Sequence, residues 1–150
     1  MRLSAAQGFV ALTVKYDHML MWSEQFATGS PLVDTQHRML IDKINQLEKL
    51  LSGPPPSKAA CDELLNFLGS YVTMHFKFEE QCMERVKCKV HQQNKQAHAA
   101  FLGLFEKFKS RYQVEGPKLE LLKSLQTSAS VWIKNHILSV DIQLKTCLSS

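Results

Sequence analysis

Cysteine is sparse in this sequence and scattered: Cys61, Cys82, Cys88 and Cys147 form no Cys-x-x-Cys pair, which removes the common zinc and dithiol motifs and leaves reduced thiols as the expectation. No stretch approaches the roughly 20 apolar residues that a membrane span requires. Residues 5–14 are apolar enough to suggest a signal-peptide core, but Gln7 interrupts them and no small-residue cleavage site follows, so a cytoplasmic protein is expected. Basic residues exceed acidic ones only mildly, for a net charge of +4, and they stand singly instead of forming a stripe. That distribution argues against nucleic acid and against an anionic membrane surface as partners. Strand alternation and internal repeats are absent as well.

What is present is helical periodicity. The 150 residues make one domain, long enough to bury a core without staples. Residues 1–33 read as an irregular arm, broken at Gly29, Ser30 and Pro31, that packs Trp22 and Phe26 on the remainder. Asp34 is the expected N-cap of a first helix, about 34 to 52, with Met39, Leu40, Ile44, Leu47, Leu50 and Leu51 as its apolar face. Gly53-Pro54-Pro55-Pro56 ends it, and Ser57 caps a second helix that carries Leu64, Leu65, Leu68, Val72, Phe76 and Met83 to about residue 86. A third, about 89 to 112, has Ala97, Phe101, Leu104, Phe105 and Phe108. Gly116-Pro117 separates it from a fourth, about 117 to 147, with Leu121, Leu125, Val131, Trp132, Ile133 and Leu138. Four long helices with short connections predict an all-α, up-down-up-down antiparallel four-helix bundle over 34–147, in which ligand sites lie between facing helices.

The polar residues within these stripes carry the chemistry. His75 and Glu79 stand at i and i+4, a spacing that stacks them on one helix face beside the apolar Met74, Phe78, Cys82 and Met83. Taken alone, the pair also suits an exposed hydrogen-bonded contact. However, each helix places one histidine among its apolar residues, His37, His75, His98 and His136, accompanied by Glu79 and Asp141. Burying six such groups without partners would cost several kcal/mol in total, and a metal cluster satisfies them together. Imidazoles with two carboxylates suit iron or another transition metal of intermediate softness, and two carboxylates can bridge ions roughly 3.5–4 Å apart. The Glu-x-x-His pair that ferritin-like sites need on each of two helices does not occur.

Asp34-Thr-Gln-His37, His75-x-x-x-Glu79-Glu80, His98-Ala-Ala-Phe-Leu and His136-x-x-x-x-Asp141, in that order over about residues 22–147, resemble hemerythrin and in particular bacterial hemerythrin-like domains. The resemblance implies a non-heme centre of two iron ions, bridged by oxide or hydroxide, that binds O₂ or small anions. It assigns His37 and His75 to one iron, Glu79 and Asp141 to the bridge, and His98 and His136 to the other iron. One position departs from the family pattern: a histidine is expected four residues before His98, and Asn94 stands there. His91 lies two turns from His98, too far to replace it, and reads with His18 as a surface or loop-end residue.

The spelling His91-Gln-x-Asn94-x-x-x-His98 resembles hemerythrin domains attached to diguanylate cyclases, which implies a redox or oxygen sensor acting on a C-terminal output domain. With Asn94 the second iron has one histidine fewer, and its position is either open or filled weakly by the amide oxygen. Oxygen storage by a stand-alone domain is the alternative. A diiron oxidase lacks an identifiable additional acid, base or substrate-positioning group, so this segment by itself is expected not to be an enzyme.

Overall fold

The computed structural model describes residues 19–149, and every structural statement below refers to these. Four long helices dominate: α1 (Pro31–Ser52), α2 (Lys58–Arg85), α3 (His91–Glu115) and α4 (Leu119–Ser139). A single 3₁₀ turn, Asp141–Gln143, then leads into a short fifth helix, α5 (Leu144–Leu148). No strand occurs among the described residues, and the long helices form the antiparallel bundle that their patterning predicts.

Helix ends follow local chemistry, with two departures from expectation. Ser30 is the N-cap of α1, its side chain accepting from the Val33 N–H, and Pro31 occupies the first helical position, so the proline starts the helix instead of preceding it. Asp34 accepts from the Thr28 N–H and hydroxyl at 2.9 and 2.8 Å and so closes the turn leading into α1. Ser57 caps α2 through the Ala60 N–H as expected. Gly116, at φ 75°, ends α3 in the left-handed region. The second departure is at α4, which stops at Ser139 and does not run on to 147.

That break has a geometric reason. His136 and Asp141 stand five positions apart, and at 100° per residue a continuous helix would turn the two side chains about 140° apart. The 3₁₀ turn brings Asp141, 2% exposed, back to the interior beside His136.

Apolar burial lies in two clusters with the polar residues between them. The larger runs through the bundle and includes Leu40, Ile44, Leu47, Leu68, Phe76, Phe101, Phe105, Leu122 and Ile133. The smaller closes one end, with Val33, Met83, Cys88, Val90, Val140 and Leu144. Each long helix therefore reads apolar, polar, apolar at helical spacing toward that end: Leu40, His37, Val33 on α1 and Phe76, Glu79, Met83 on α2. Met39, Met74, Leu104 and Val131, expected in the stripes, are instead exposed at their helix margins.

The arm packs as expected where it is described. Phe26 is buried, Trp22 lies 5.8 Å from it between ring centroids, and Arg38 sits over the Trp22 ring. Asn45 pins the arm to α1 by exchanging two hydrogen bonds with the Leu20 backbone, at 3.0 and 2.7 Å.

The cysteines contradict the expectation of reduced thiols throughout. Cys88, in the turn between α2 and α3, is disulfide-bonded to Cys147 on α5, while Cys61 and Cys82 are free. The partners are 59 residues apart, and they meet only because the chain beyond α4 folds back over that turn. Spacing in the sequence carries no trace of this approach.

Candidate metal centre

His37, His75, Glu79, His98, His136 and Asp141 converge on one interior volume between the two apolar clusters, and none is more than 6% exposed. Each comes from the inward face of its element: His37 from α1, His75 and Glu79 one turn apart on α2, His98 from α3, His136 from α4, and Asp141 from the 3₁₀ turn. Their donor atoms form two groups that share Glu79: His37, His75 and Glu79 in one, and Glu79, His98, His136 and Asp141 in the other.

The two carboxylates divide their oxygens between the groups. Glu79 Oε2 lies 3.1 Å from His37 Nε2 and 3.5 Å from His75 Nε2, while Oε1 lies 3.2 Å from His98 Nε2. Asp141 repeats the arrangement, with Oδ2 3.1 Å from His37 Nε2 and Oδ1 3.1 Å from His136 Nε2. All four histidines thus direct Nε2 inward, and each carboxylate spans both halves.

Outer partners fix two of the rings. His75 Nδ1 donates to Gln36 Oε1 at 2.7 Å and His98 Nδ1 donates to Glu80 Oε1 at 2.9 Å, which leaves each Nε2 with a lone pair toward the interior. His98 also stacks on Phe76 at 3.7 Å between centroids, and His136 stacks on Trp132 at 4.4 Å. Gln36 and Glu80 lie within the Asp34–His37 and His75–Glu80 motifs, but the sequence assigns neither of them a role.

Asn94 belongs to the same volume and is fully buried. Its amide nitrogen donates to Glu79 Oε1 at 2.9 Å and to Met83 Sδ at 3.3 Å, so both amide hydrogens are committed. Its oxygen accepts from His136 Nε2 at 2.7 Å. The oxygen therefore points into the half of the site that contains His98 and His136. His91, by contrast, is the first residue of α3 and only half-buried, and His18 lies outside the described residues.

Protonation reflects this crowding. Burial alone would depress the His37 imidazole, but hydrogen bonds to Asp141 and Glu79 overcome that and push it up to about 9. For His75, burial combines with the neighbouring imidazoles of His37, His98 and His136 to push it down to about 3, against the pull of Glu79. Burial opposes ionisation of Glu79, yet His37 and His98 hold its carboxyl well below the usual carboxylate range.

The donor set fits a pair of metal ions. His37 Nδ1, His98 Nε2 and Asp141 Oδ1 are buried without a hydrogen-bond partner, although His98 Nε2 lies 3.2 Å from Glu79 Oε1 and Asp141 Oδ1 lies 3.1 Å from His136 Nε2. Proteins rarely tolerate several such atoms in one place, and two of these, His98 Nε2 and Asp141 Oδ1, are atoms that a cation would bind. His37 and His75 would hold one ion, His98 and His136 the other, with Glu79 and Asp141 contributing one oxygen to each.

Relatives match most of the chain. A bacteriohemerythrin of Pseudomonas aeruginosa (strain UCBPP-PA14) is 30% identical over 122 residues, covering 81% of this chain and 76% of its own length. One from Methylococcus capsulatus is 25% identical over 133 residues, covering 88% and 98%, and a hemerythrin-like protein of Naegleria gruberi is 29% identical over 127 residues, covering 85% and 92%. A solved structure of a hemerythrin mutant superposes with a TM-score of 0.73 at 23% identity, covering 89% of this chain and 99% of that one, which supports the fold. Residues 28–147 match the family described as Hemerythrin HHE cation binding domain, and the chain belongs to that family.

Proposed function

We propose that the domain holds two iron ions at this site, binds O₂ or small anions there, and serves as an oxygen or redox sensor. Two irons in such a site supply reversible electron transfer to dioxygen. The residues supply the rest: four imidazoles set the charge and geometry, Glu79 and Asp141 couple the two halves, and the flanking apolar clusters exclude bulk water.

The observation that favours sensing over storage is Asn94. An amide oxygen is a weaker donor than an imidazole, and it occupies the place where the family pattern has histidine, so the second ion is held less firmly and its ligation changes more readily. Because Glu79 Oε1 and Met83 Sδ fix the amide nitrogen, the oxygen is the only atom Asn94 has to offer. In this reading the domain is a cytoplasmic binding module without catalysis of its own, and its state is passed to a C-terminal output domain of the diguanylate cyclase kind through the segment carrying Asp141.

Metal analysis of protein prepared without chelators from iron-supplied cells tests the first part, with two irons per chain expected. Zinc in the same stoichiometry would show an intact site filled by a stronger competitor. A fully folded preparation that takes up neither metal on addition overturns the reading. Azide titration of the iron-loaded, oxidised protein tests the second part: saturable binding that changes the near-ultraviolet spectrum is expected, and an unchanged spectrum contradicts an exchangeable position.

A further inference from the structure

The disulfide fastens the segment that carries Asp141. Beyond Ser139 the chain makes one 3₁₀ turn at Asp141 and then the five-residue α5, in which Cys147 lies six positions after the aspartate. A helix this short has no stability of its own. Leu144 and Val140 pack it against Val33, Met83 and Val90, the Gly29 turn approaches its Lys145, and the bond to Cys88 ties it covalently to the turn after α2. Cys88 in turn follows Glu79 by nine residues and precedes Asn94 by six. One bond thus connects the two chain segments that hold the carboxylates in opposition.

We propose that Cys88–Cys147 is a thiol–disulfide exchange site for a dithiol reductant, and that its reduction loosens the Asp141 segment and weakens metal retention. The two cysteines differ in exposure: Cys147 is half-buried, whereas Cys88 is 5% exposed. A thiolate of the dithiol attacks Cys147 Sγ, the S–S bond breaks, and Cys88 departs as a thiolate that takes up a proton. The second thiol of the reductant then attacks its own sulfur in the mixed disulfide and releases Cys147. Two electrons and two protons pass from the dithiol to the protein, and the reductant leaves as its cyclic disulfide. In a reducing compartment a cystine placed like this serves redox response more than static bracing. Coupling is reciprocal: if the oxidised pair favours metal, bound metal must oppose reduction by the same factor.

The metal half of this inference rests on the donor set described above, and its test is therefore run with Zn²⁺, which holds one oxidation state and needs neither iron nor oxygen. Zn²⁺-loaded protein is compared in three forms: oxidised, reduced with dithiothreitol and desalted under argon, and the double variant Cys88→Ser/Cys147→Ser. Thiol titration should count two free thiols in the oxidised form and four in the reduced one. Release of Zn²⁺ to a chelator should be at least about tenfold faster in the reduced form and in the double variant, in line with the loss of a ligand's support. Hydrogen exchange of residues 140–149 in the metal-free protein should rise on reduction, a readout that survives if the site prefers another metal. Equal release rates and equal exchange in oxidised and reduced protein, with the thiol counts as stated, overturn the proposal. So does a wild-type protein that keeps four free thiols after treatment with glutathione disulfide. If the double variant does not fold, the reduced wild type gives the same comparison.

Discussion

At one end of the bundle Leu47, Leu51, Leu65, Phe108, Leu121 and Leu122 close on one another; at the other, His37, His75, Glu79, Asn94, His98 and His136 of the same four helices and Asp141 of the 3₁₀ turn face one another. The first end gains free energy from every contact, because burying apolar surface is favourable at about 25 cal/mol per Å² and asks for no special geometry. The second end gains from burial only through its small apolar cluster, since each group of its polar layer loses water and must recover the loss from a partner. It is also the end with the disulfide, the helix break at Ser139 and the left-handed Lys87 at φ 52° in the turn before Cys88. The apolar end holds the helices in register, and that register places the polar layer.

The largest difference between the ends should appear on removing a shared carboxylate. Glu79→Ala deletes the one side chain common to both donor groups, so metal content should fall from two ions to one or none, with a large loss of thermal stability in the metal-loaded protein. The metal-free variant should lose less, because only the contacts of Glu79 with His37, His98 and Asn94 go with the side chain and no bound cation is lost. Metal analysis with paired melting curves checks this, and equal midpoints for loaded wild type and variant would remove Glu79 from the site.

Leu122→Ala makes the opposite cut. Leu122 is fully buried at the apolar end, and its truncation should cost about 3 kcal/mol by transfer and cavity terms. Denaturant unfolding should register that loss while the number of metals bound stays the same. A changed stoichiometry would mean that the two ends are not separable.

A smaller effect distinguishes the ends by pH. In the metal-free protein His37 is raised to about 9 from an ordinary 6.5, so its contribution is complete below 6.5 and disappears as pH rises through 9. His75, lowered to about 3, works in reverse: it is neutral when folded, the unfolded chain takes up the proton first, and stability falls as pH drops below 6.5. Glu79, also lowered, adds to the acid-side loss. Stability of the metal-free protein should therefore peak near pH 6.5, whereas metal loading should flatten the alkaline side, because a cation replaces the proton on His37. Melting temperatures across pH 4–10 test this, and a metal-free protein that gains stability between pH 7 and 9 would contradict it.

The bundle was readable from the chain because amphipathic spacing reports burial directly, and His37, His75, His98 and His136 were conspicuous as polar residues at apolar positions. Other features left weaker traces. Pro31 reads in sequence as a breaker, although proline suits the first position of a helix as well as it ends one. The stop of α4 has no proline or glycine to mark it, although the five-residue spacing from His136 to Asp141 contains the information once both are required to face inward. Gln36 and Glu80 act only through a neighbouring imidazole, a relation that depends on three-dimensional approach. The Cys88–Cys147 bond depends on the return of the chain after α4, which no local pattern encodes.

Asn94 remains the residue on which sensing rather than storage depends, and the rate at which the reduced, iron-loaded protein oxidises in air measures its influence most directly. Wild type should oxidise quickly, and Asn94→His, which restores an imidazole on the same face of α3 as His98, should slow the reaction by about tenfold, the size of effect expected when a metal's ligand set is altered. Identical oxidation rates in the two proteins, each holding two irons, would contradict the account.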